Sequence, residues 1–230
     1  MSDFASHISS YQADVQESIA FSGQEAAFFH QRKAEALVGV VDRLVGDPRG
    51  VRALDVGCGI GSIDRHLEGR FATLCGVDPV PGAVGRGAGE NRWARYLAGD
   101  GMELPFADAT FDVVFAVCVV HHVVPAARQA FVTELARVVR PGGMVAIFEH
   151  NAWNPLTRLA VSRCEFDDGV ELLSRRETAR LLAGIGLAPA EARDIIFTPF
   201  DHGWARRLDE VMGRVPLGAQ HYVAARRPLP

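Results

Sequence analysis

An α/β fold built on a doubly wound, mostly parallel sheet is what this sequence predicts, on three observations. Strand-like apolar runs alternate with helix-like ones along the chain, which is the pattern of βαβ units. A glycine-rich turn at 57–61 follows the first apolar run. Acidic residues, Asp78 and Asp100, stand at the ends of the second and third runs, where ligands of such sheets collect.

The first 48 residues read as helical. Ser22, with Glu25 three residues on, has the form of a capping box. Phe28, Ala34, Leu37, Val38, Val41 and Leu44 then recur at helical spacing, and Gly46, Asp47, Pro48 and Gly50 break the helix. Residues 51–56 are the first strand and 62–67 begin a helix. Residues 71–77 are the second strand. The segment 81–90 holds Gly82, Gly85, Gly87 and Gly89; each costs about 1 kcal/mol in a helix relative to alanine, so a weak or broken helix is expected. Strands follow at 94–98 and 111–119, and a helix at 125–139. A turn at Pro141-Gly142-Gly143 precedes a fifth strand at 144–148. Residues 149–173 read as long, polar and irregular. Ser174, with Glu177 at the capping-box position, opens a helix to 185 that Gly186 ends. Strands at 191–200 and 219–226 complete seven.

With 230 residues and 48% hydrophobic content, the chain can bury one full core. A net charge of −4 supplies no basic footprint for a nucleic-acid backbone, and the arginine pairs are scattered. Residues 1–10 carry neither a basic start nor an apolar run, so no signal peptide is expected. The longest uncharged stretch, 113–127, is too short to span a membrane and is interrupted by His121, His122 and Pro125. Cys58, Cys75, Cys118 and Cys164 form no C-x-x-C pair, which suits reduced thiols in a cytoplasmic protein.

The central motif is Leu54-Asp55-Val56-Gly57-Cys58-Gly59-Ile60-Gly61. Glycines at this spacing allow a tight turn and close approach of a ligand to backbone. A dinucleotide fingerprint needs its third glycine at position 62, which is Ser62. Asp78 can accept hydrogen bonds from both ribose hydroxyls of an adenosine, or can cap the helix that Pro79 introduces. Asp100 can accept from an adenine amino group, or can belong to an Asp-Gly turn.

Together these motifs resemble the class I S-adenosylmethionine-dependent methyltransferases, which are Rossmann-like. The resemblance spans roughly 50–150. It includes Gly76-Val77-Asp78, Gly99-Asp100-Gly101, Phe111-Asp112-Val113-Val114, Val120-His121-His122-Val123, and the string from Glu134 through Arg140-Pro141-Gly142-Gly143. It implies S-adenosylmethionine as cofactor and an antiparallel seventh strand. It places Gly57, Gly59 and Gly61 along the methionine part and sugar, with Asp55 and Cys58 in the same loop. Asp78 and Pro79 would hold the ribose, and Asp100, Gly101 and Met102 the adenine. Cys118 or Val119 would offer a carbonyl to the cofactor amino group. Tyr11 belongs to an N-terminal lid, and Arg32 or Lys33 would meet the cofactor carboxylate.

Methyl transfer from a sulfonium asks the protein mainly for alignment; a base is needed only where the acceptor loses a proton. His121 and His150 are the catalytic candidates, with His122 and Glu149 beside them at the ends of strands four and five. No metal is expected, because neither an i, i+4 histidine pair nor a suitably spaced cysteine is present. In the stretch 149–158, Asn151, Trp153, Asn154 and Arg158 are candidates for contact with the acceptor, Arg158 suiting an acidic group.

The expectation is one domain: an N-terminal helical lid (1–48), a cofactor-binding core (49–148), a cap or substrate segment (149–173) and the rest of the sheet (174–230). The partner is a small-molecule methyl acceptor, not nucleic acid, and the assembly a monomer or homodimer. The alternatives are a nicotinamide-dependent oxidoreductase and a catalytically silent, cofactor-binding regulatory subunit.

Overall fold

Seven apolar runs pair into one sheet in the order β3-β2-β1-β4-β5-β7-β6 in a computed structural model that describes residues 11–229, Tyr11 by its backbone alone. The strands are β1 (Arg52–Val56), β2 (Thr73–Asp78), β3 (Arg95–Ala98), β4 (Phe111–Val117), β5 (Val139–His150), β6 (Ala188–Ile195) and β7 (Gln220–Arg226). β1 to β5 pair in parallel, and β7 lies antiparallel between β5 and β6. The strand order reverses at β1, between β2 and β4, so a crevice opens there at the carboxyl ends.

The helices are α1 (Tyr11–Ser18), α2 (Ala26–Leu44), α3 (Pro81–Glu90), α4 (Arg128–Val138), α5 (Pro155–Val161), α6 (Arg175–Ala183) and α7 (Gly203–Met212). Side chains alternate across a strand, so the sheet has two buried faces. Leu54, Val56, Val114 and Ala116 meet Phe131, Leu135 and Val138 of α4 and Leu182 of α6. Ala53, Val113, Phe115, Met144 and Phe148 meet Ala34, Leu37, Val40 and Val41 of α2. Each fully buried large side chain contributes about 1.5–3 kcal/mol. With both faces covered, β1 and β4 read as continuous apolar runs.

Several local expectations are corrected. The glycine-rich segment after Asp78 forms a regular ten-residue helix, α3. Pro81 starts it, Ala83, Val84 and Gly87 pack inward, and a Cβ on Gly87 would lie 3.3 Å from the Ile60 backbone. Close packing on the glycine loop outweighs the propensity cost. After that loop there is only a short 3-10 turn, Asp64–Leu67, because Asp64 is buried and bonded by the Tyr96 hydroxyl and Gly69 turns left-handed. Ser22 caps no α-helix: Gly23 turns left-handed after it, and α2 starts at Ala26 with no side-chain cap. The Pro141-Gly142-Gly143 turn lies within β5 as a bulge, with Gly142 at φ 75° and the pairing with β4 shifting from Phe111–Val139 to Val113–Met144, and β6 stops at Ile195, followed by Ile196 in the left-handed region. The segment 149–173 contains α5. The Ser174–Glu177 capping box on α6 is present as expected.

Candidate active site

At the end of β1 the chain turns through Gly57, Gly59 and Gly61 at φ of 79°, 53° and 69°, a region costly for residues with a Cβ. A Cβ on Gly57 would fall 2.5 Å from a Val119 methyl, so the loop lies tight against the end of β4. Asp78 ends β2 and points at this loop. One carboxylate oxygen accepts from Gly59 N at 2.9 Å, the other from Val80 N at 2.9 Å. Burial raises its pKa, and these two backbone bonds work against the rise. Asp78 is thus both the cap of the following turn and a group aimed at the loop. A carboxylate offers about four lone-pair sites, which leaves two for a ligand.

Asp55, in β1 two residues before Gly57, is fully buried. Burial and the neighbouring Asp64 push its pKa well up, and burial lifts Asp64 to about 6. Tyr96 donates to Asp64 at 2.6 Å, and Asn91 Nδ2 donates to Gly61 O and to the Tyr96 hydroxyl. Lys33 on α2 is buried, with its ammonium 3.8 Å from Cys118 Sγ. Cys118 follows β4 at φ 57°, a strained value for a residue with a side chain, and its N–H donates to Phe148 O of β5.

A polar corner sits beside this loop, at the ends of β4 and β5. Glu149, fully buried in β5, accepts from Val120 N at 2.8 Å and meets His121 Nδ1 at 2.5 Å. Asp167 lies with Oδ1 3.5 Å from His121 Nε2 and 3.2 Å from His122 Nε2. Burial opposes a charged imidazole at His121, but Glu149 and Asp167 outweigh it and hold its pKa up to about 10. The histidine in turn draws Glu149 down to about 2 against the effect of burial. His150, its ring 5.3 Å from that of His121, is driven down to about 4 by burial and the neighbouring positive charge.

Both groups open on one cavity of about 920 Å3, near the top of the ~300–1,000 Å3 range of small-molecule sites. Asp55, Gly57, Cys58, Gly59, Asp78, Pro79, Cys118, Val119, His121, His150 and Asn154 line it, as do Lys33 and Asp167. The rest of the wall is mainly apolar: Ile19, Phe21 and Phe29 from the N-terminal helices, Leu156 and Val161 of α5, Phe166 and Phe197.

Other candidates stand elsewhere. Gly61 packs against Asn91 and Tyr96, not against the cavity. Asp100 accepts from Met102 N in an exposed turn, and Gly101 is a glycine because a Cβ there would meet the Phe131 ring at 2.6 Å. None of Asp100, Gly101 and Met102 lines the cavity. Asn151 is committed to a buried network, donating to Asp194 and Gly218 O and accepting from Trp153 N. Asn154 caps α5 through Leu156 N and Thr157 N. Trp153 is 68% exposed, and Arg158 borders a second depression with residues 161–172. Arg32 is paired with Glu35 and Asp209, and Lys33 is the lysine or arginine that lines the cavity among the described residues. The side chain of Tyr11 lies outside the described residues. Asp167 escaped the sequence reading altogether; the phenylalanine inside an otherwise polar run, Cys164-Glu165-Phe166-Asp167, was the one sign of a turn that folds inward.

Residues 54–147 match the family model described as a methyltransferase domain. Over that stretch the chain is a methyltransferase domain. An uncharacterized methyltransferase of Synechocystis is 34% identical over 100 residues, 44% of this methyltransferase and 47% of that protein. The match therefore spans about half the length of that relative. A ubiquinone biosynthesis O-methyltransferase of Rhizobium etli is 29% identical, over 74% of this chain and 73% of its own. Among solved structures, a SAM-dependent methyltransferase from Aquifex aeolicus superposes with a TM-score of 0.63 at 16% identity, covering 94% of this chain and 98% of that one. The geranyl diphosphate C-methyltransferase of Streptomyces coelicolor, in complex with Mg2+, geranyl diphosphate and S-adenosylhomocysteine, gives 0.61 at 17% identity, covering 84% and 78%. At these identities the structures speak for the fold.

The methyltransferase's own residues fit an adenosyl cofactor. Asp78 has two lone-pair sites left for sugar hydroxyls, the left-handed glycines bring backbone against the cavity, and Lys33 presents a cation to it.

Proposed function

We propose that this enzyme transfers a methyl group from S-adenosylmethionine to an oxygen, nitrogen or carbon of a small or medium-sized, largely apolar metabolite. One observation carries the reading. Asp78, bonded to Gly59 N–H, shares a single cavity with Lys33 and with an apolar wall built from α1, α5 and the segments around Phe166 and Phe197. That combination suits a polar, zwitterionic nucleoside beside a greasy second molecule.

When bound, the cofactor supplies an activated methyl on a good leaving group. Gly57, Gly59 and Asp78 hold it by backbone contact and sugar hydroxyls, and Lys33 meets its carboxylate. The acceptor packs against Phe29, Val161, Phe166 and Phe197, which exclude water and fix its approach; well-oriented reactants gain several kcal/mol this way. His121, clamped between Glu149 and Asp167, fixes the polar end of the acceptor. His150, kept neutral by burial, accepts its proton where one must leave. Relatives named as a ubiquinone biosynthesis O-methyltransferase, a probable tocopherol O-methyltransferase and a sterol 24-C-methyltransferase support an apolar acceptor against this wall.

The test is calorimetry with S-adenosylmethionine and S-adenosylhomocysteine, then methyl-labelled cofactor with phenols, quinols and prenylated alcohols. One-to-one binding and label in an extractable product are expected. Absence of binding at millimolar cofactor would end the reading; binding without label transfer to any acceptor class would favour a silent regulatory subunit.

A further inference from the structure

We infer that the corner formed by His121, His150 and Asp167 is a binding site for one divalent first-row transition-metal ion, open to the acceptor cavity. One donor atom from each of the three lies within 4.8 Å of the other two. The side chains come from the end of β4, the end of β5 and the turn after α5, so only the folded chain assembles them. No sequence spacing announces the set, which is why none was expected.

Two of the donor atoms are buried and lack a hydrogen-bond partner: His121 Nε2 and Asp167 Oδ1. They belong to residues only 3% and 7% exposed, and a buried polar atom without a hydrogen bond is uncommon enough to call for a partner. Their separation is 3.5 Å. Two ligands held ~2.1 Å from one ion at a tetrahedral angle stand ~3.4 Å apart. The spacing is therefore that of atoms sharing an ion, while their mutual orientation makes no hydrogen bond.

The support behind the ligands has the same form. Glu149 takes His121 Nδ1 at 2.5 Å, which fixes the ring with Nε2 on the side of Asp167. A carboxylate holding the far nitrogen of a histidine is the usual backing of a metal-ligating imidazole. Charge agrees as well. The carboxylates of Glu149 and Asp167 lie together in a buried corner, a setting that favours a cation. His122, 3.2 Å from Asp167 and partly exposed, borders the site on its outer side.

Two imidazole nitrogens and one carboxylate oxygen favour Zn2+, Mn2+, Fe2+, Co2+ or Ni2+ over Mg2+ and Ca2+, which prefer all-oxygen shells. Three protein ligands leave at least one position facing the cavity, suited to an oxygen donor of the acceptor. That last role rests on the proposed function, and there the ion takes over from His150 the task of making an acceptor hydroxyl acidic; ion binding itself does not depend on it.

The experiment uses the full chain, stripped with chelator and titrated with Co2+ or Zn2+ by calorimetry and, for Co2+, by visible absorption. One ion per chain with a dissociation constant in the micromolar range or tighter is expected. Asp167→Asn and His150→Ala should each weaken it at least tenfold, and Glu149→Gln by roughly 10–100-fold. S-adenosylmethionine binding, measured on the same samples, reports that each variant is folded. Wild-type protein that binds the cofactor but no stoichiometric ion overturns the metal site and leaves the methyltransferase reading intact. Ion uptake without cofactor binding does the reverse. Equal affinity in Asp167→Asn and His150→Ala, or a thiolate-to-cobalt band in the spectrum, would place the ion elsewhere and refute the assignment.

Discussion

Replacing Asp78 by asparagine changes one oxygen into an amide nitrogen and leaves shape almost unaltered. The native carboxylate serves two backbone donors, Gly59 N–H on one oxygen and Val80 N–H on the other, each at 2.9 Å. Whichever way the amide is turned, one of those N–H groups faces an NH2. One lone pair at most remains for the ligand, where the carboxylate had two. Losing one charge-assisted bond to a sugar hydroxyl and weakening the second removes about 1.5–3 kcal/mol for the first and roughly 1 for the other. The displaced Gly59 amide adds about 1 more. The sum, about 3–5 kcal/mol, corresponds to a loss of roughly 10²- to 10³·⁵-fold in affinity. Calorimetry with S-adenosylmethionine and S-adenosylhomocysteine measures it, and a melting curve measures the separate loss from the facing donors, about 2–4 °C per kcal/mol for a chain of this size. If Asp78→Asn binds either ligand within fivefold of wild type, Asp78 is only a turn cap, and the ribose assignment fails.

Two further outcomes follow from the same loop. Gly57→Ala puts a methyl 2.5 Å from Val119 at φ 79°; the left-handed backbone alone costs about 1–2 kcal/mol, so urea midpoint and cofactor affinity should both fall, and Val119→Ala in the same chain should recover part of the loss. Unchanged binding in the single variant would show that the loop has slack. The Asp55–Asp64 pair makes the fold sensitive to pH: burial lifts Asp64 to about 6, so from pH 4 upward the unfolded chain has given up a proton that the folded chain keeps. Stability should therefore fall between pH 4 and 7, with at most about 3 kcal/mol of the fall due to Asp64, and Asp64→Asn, whose oxygen still accepts from Tyr96, should make the fall shallower by that share while the buried Asp55 keeps its own. Parallel urea-derived stability curves for the two proteins would refute this.

The sheet was legible because its evidence is local. A strand buried on both faces shows itself as an unbroken apolar run, so β1, β2, β4 and β7 lie within a residue or two of where the runs place them. Errors came where tertiary contacts overrule propensity. Nothing in four glycines announces α3; the helix exists because Gly87 lets it approach Ile60 and Tyr96. Conversely, Ser62 onward has the composition of a helix but yields one turn, since Asp64 is drawn inward to Tyr96, a partner more than one element away.

The same distinction divides the site. Asp78 and the glycine loop were readable because strand ends fix them: β1 and β2 pair Val56 with Val77, so whatever follows those two residues must meet at the same edge. The polar corner obeys no such rule. His121 and Glu149 were visible as polar residues closing apolar strands, and a carboxylate at the buried end of a strand costs several kcal/mol unless something pairs with it. That cost implies a partner without naming it. Asp167, the third member, arrives by way of α5 and a turn that the sequence leaves formless, and the Asn151 and Asn154 side chains, read as contacts for an acceptor, are what hold that excursion in place, through Asp194, Gly218 and the first turn of α5. The asparagines position the aspartate; the aspartate faces the histidines. A polar loop after a strand is thus better searched for what it is built to deliver than for which of its own amides touch the ligand.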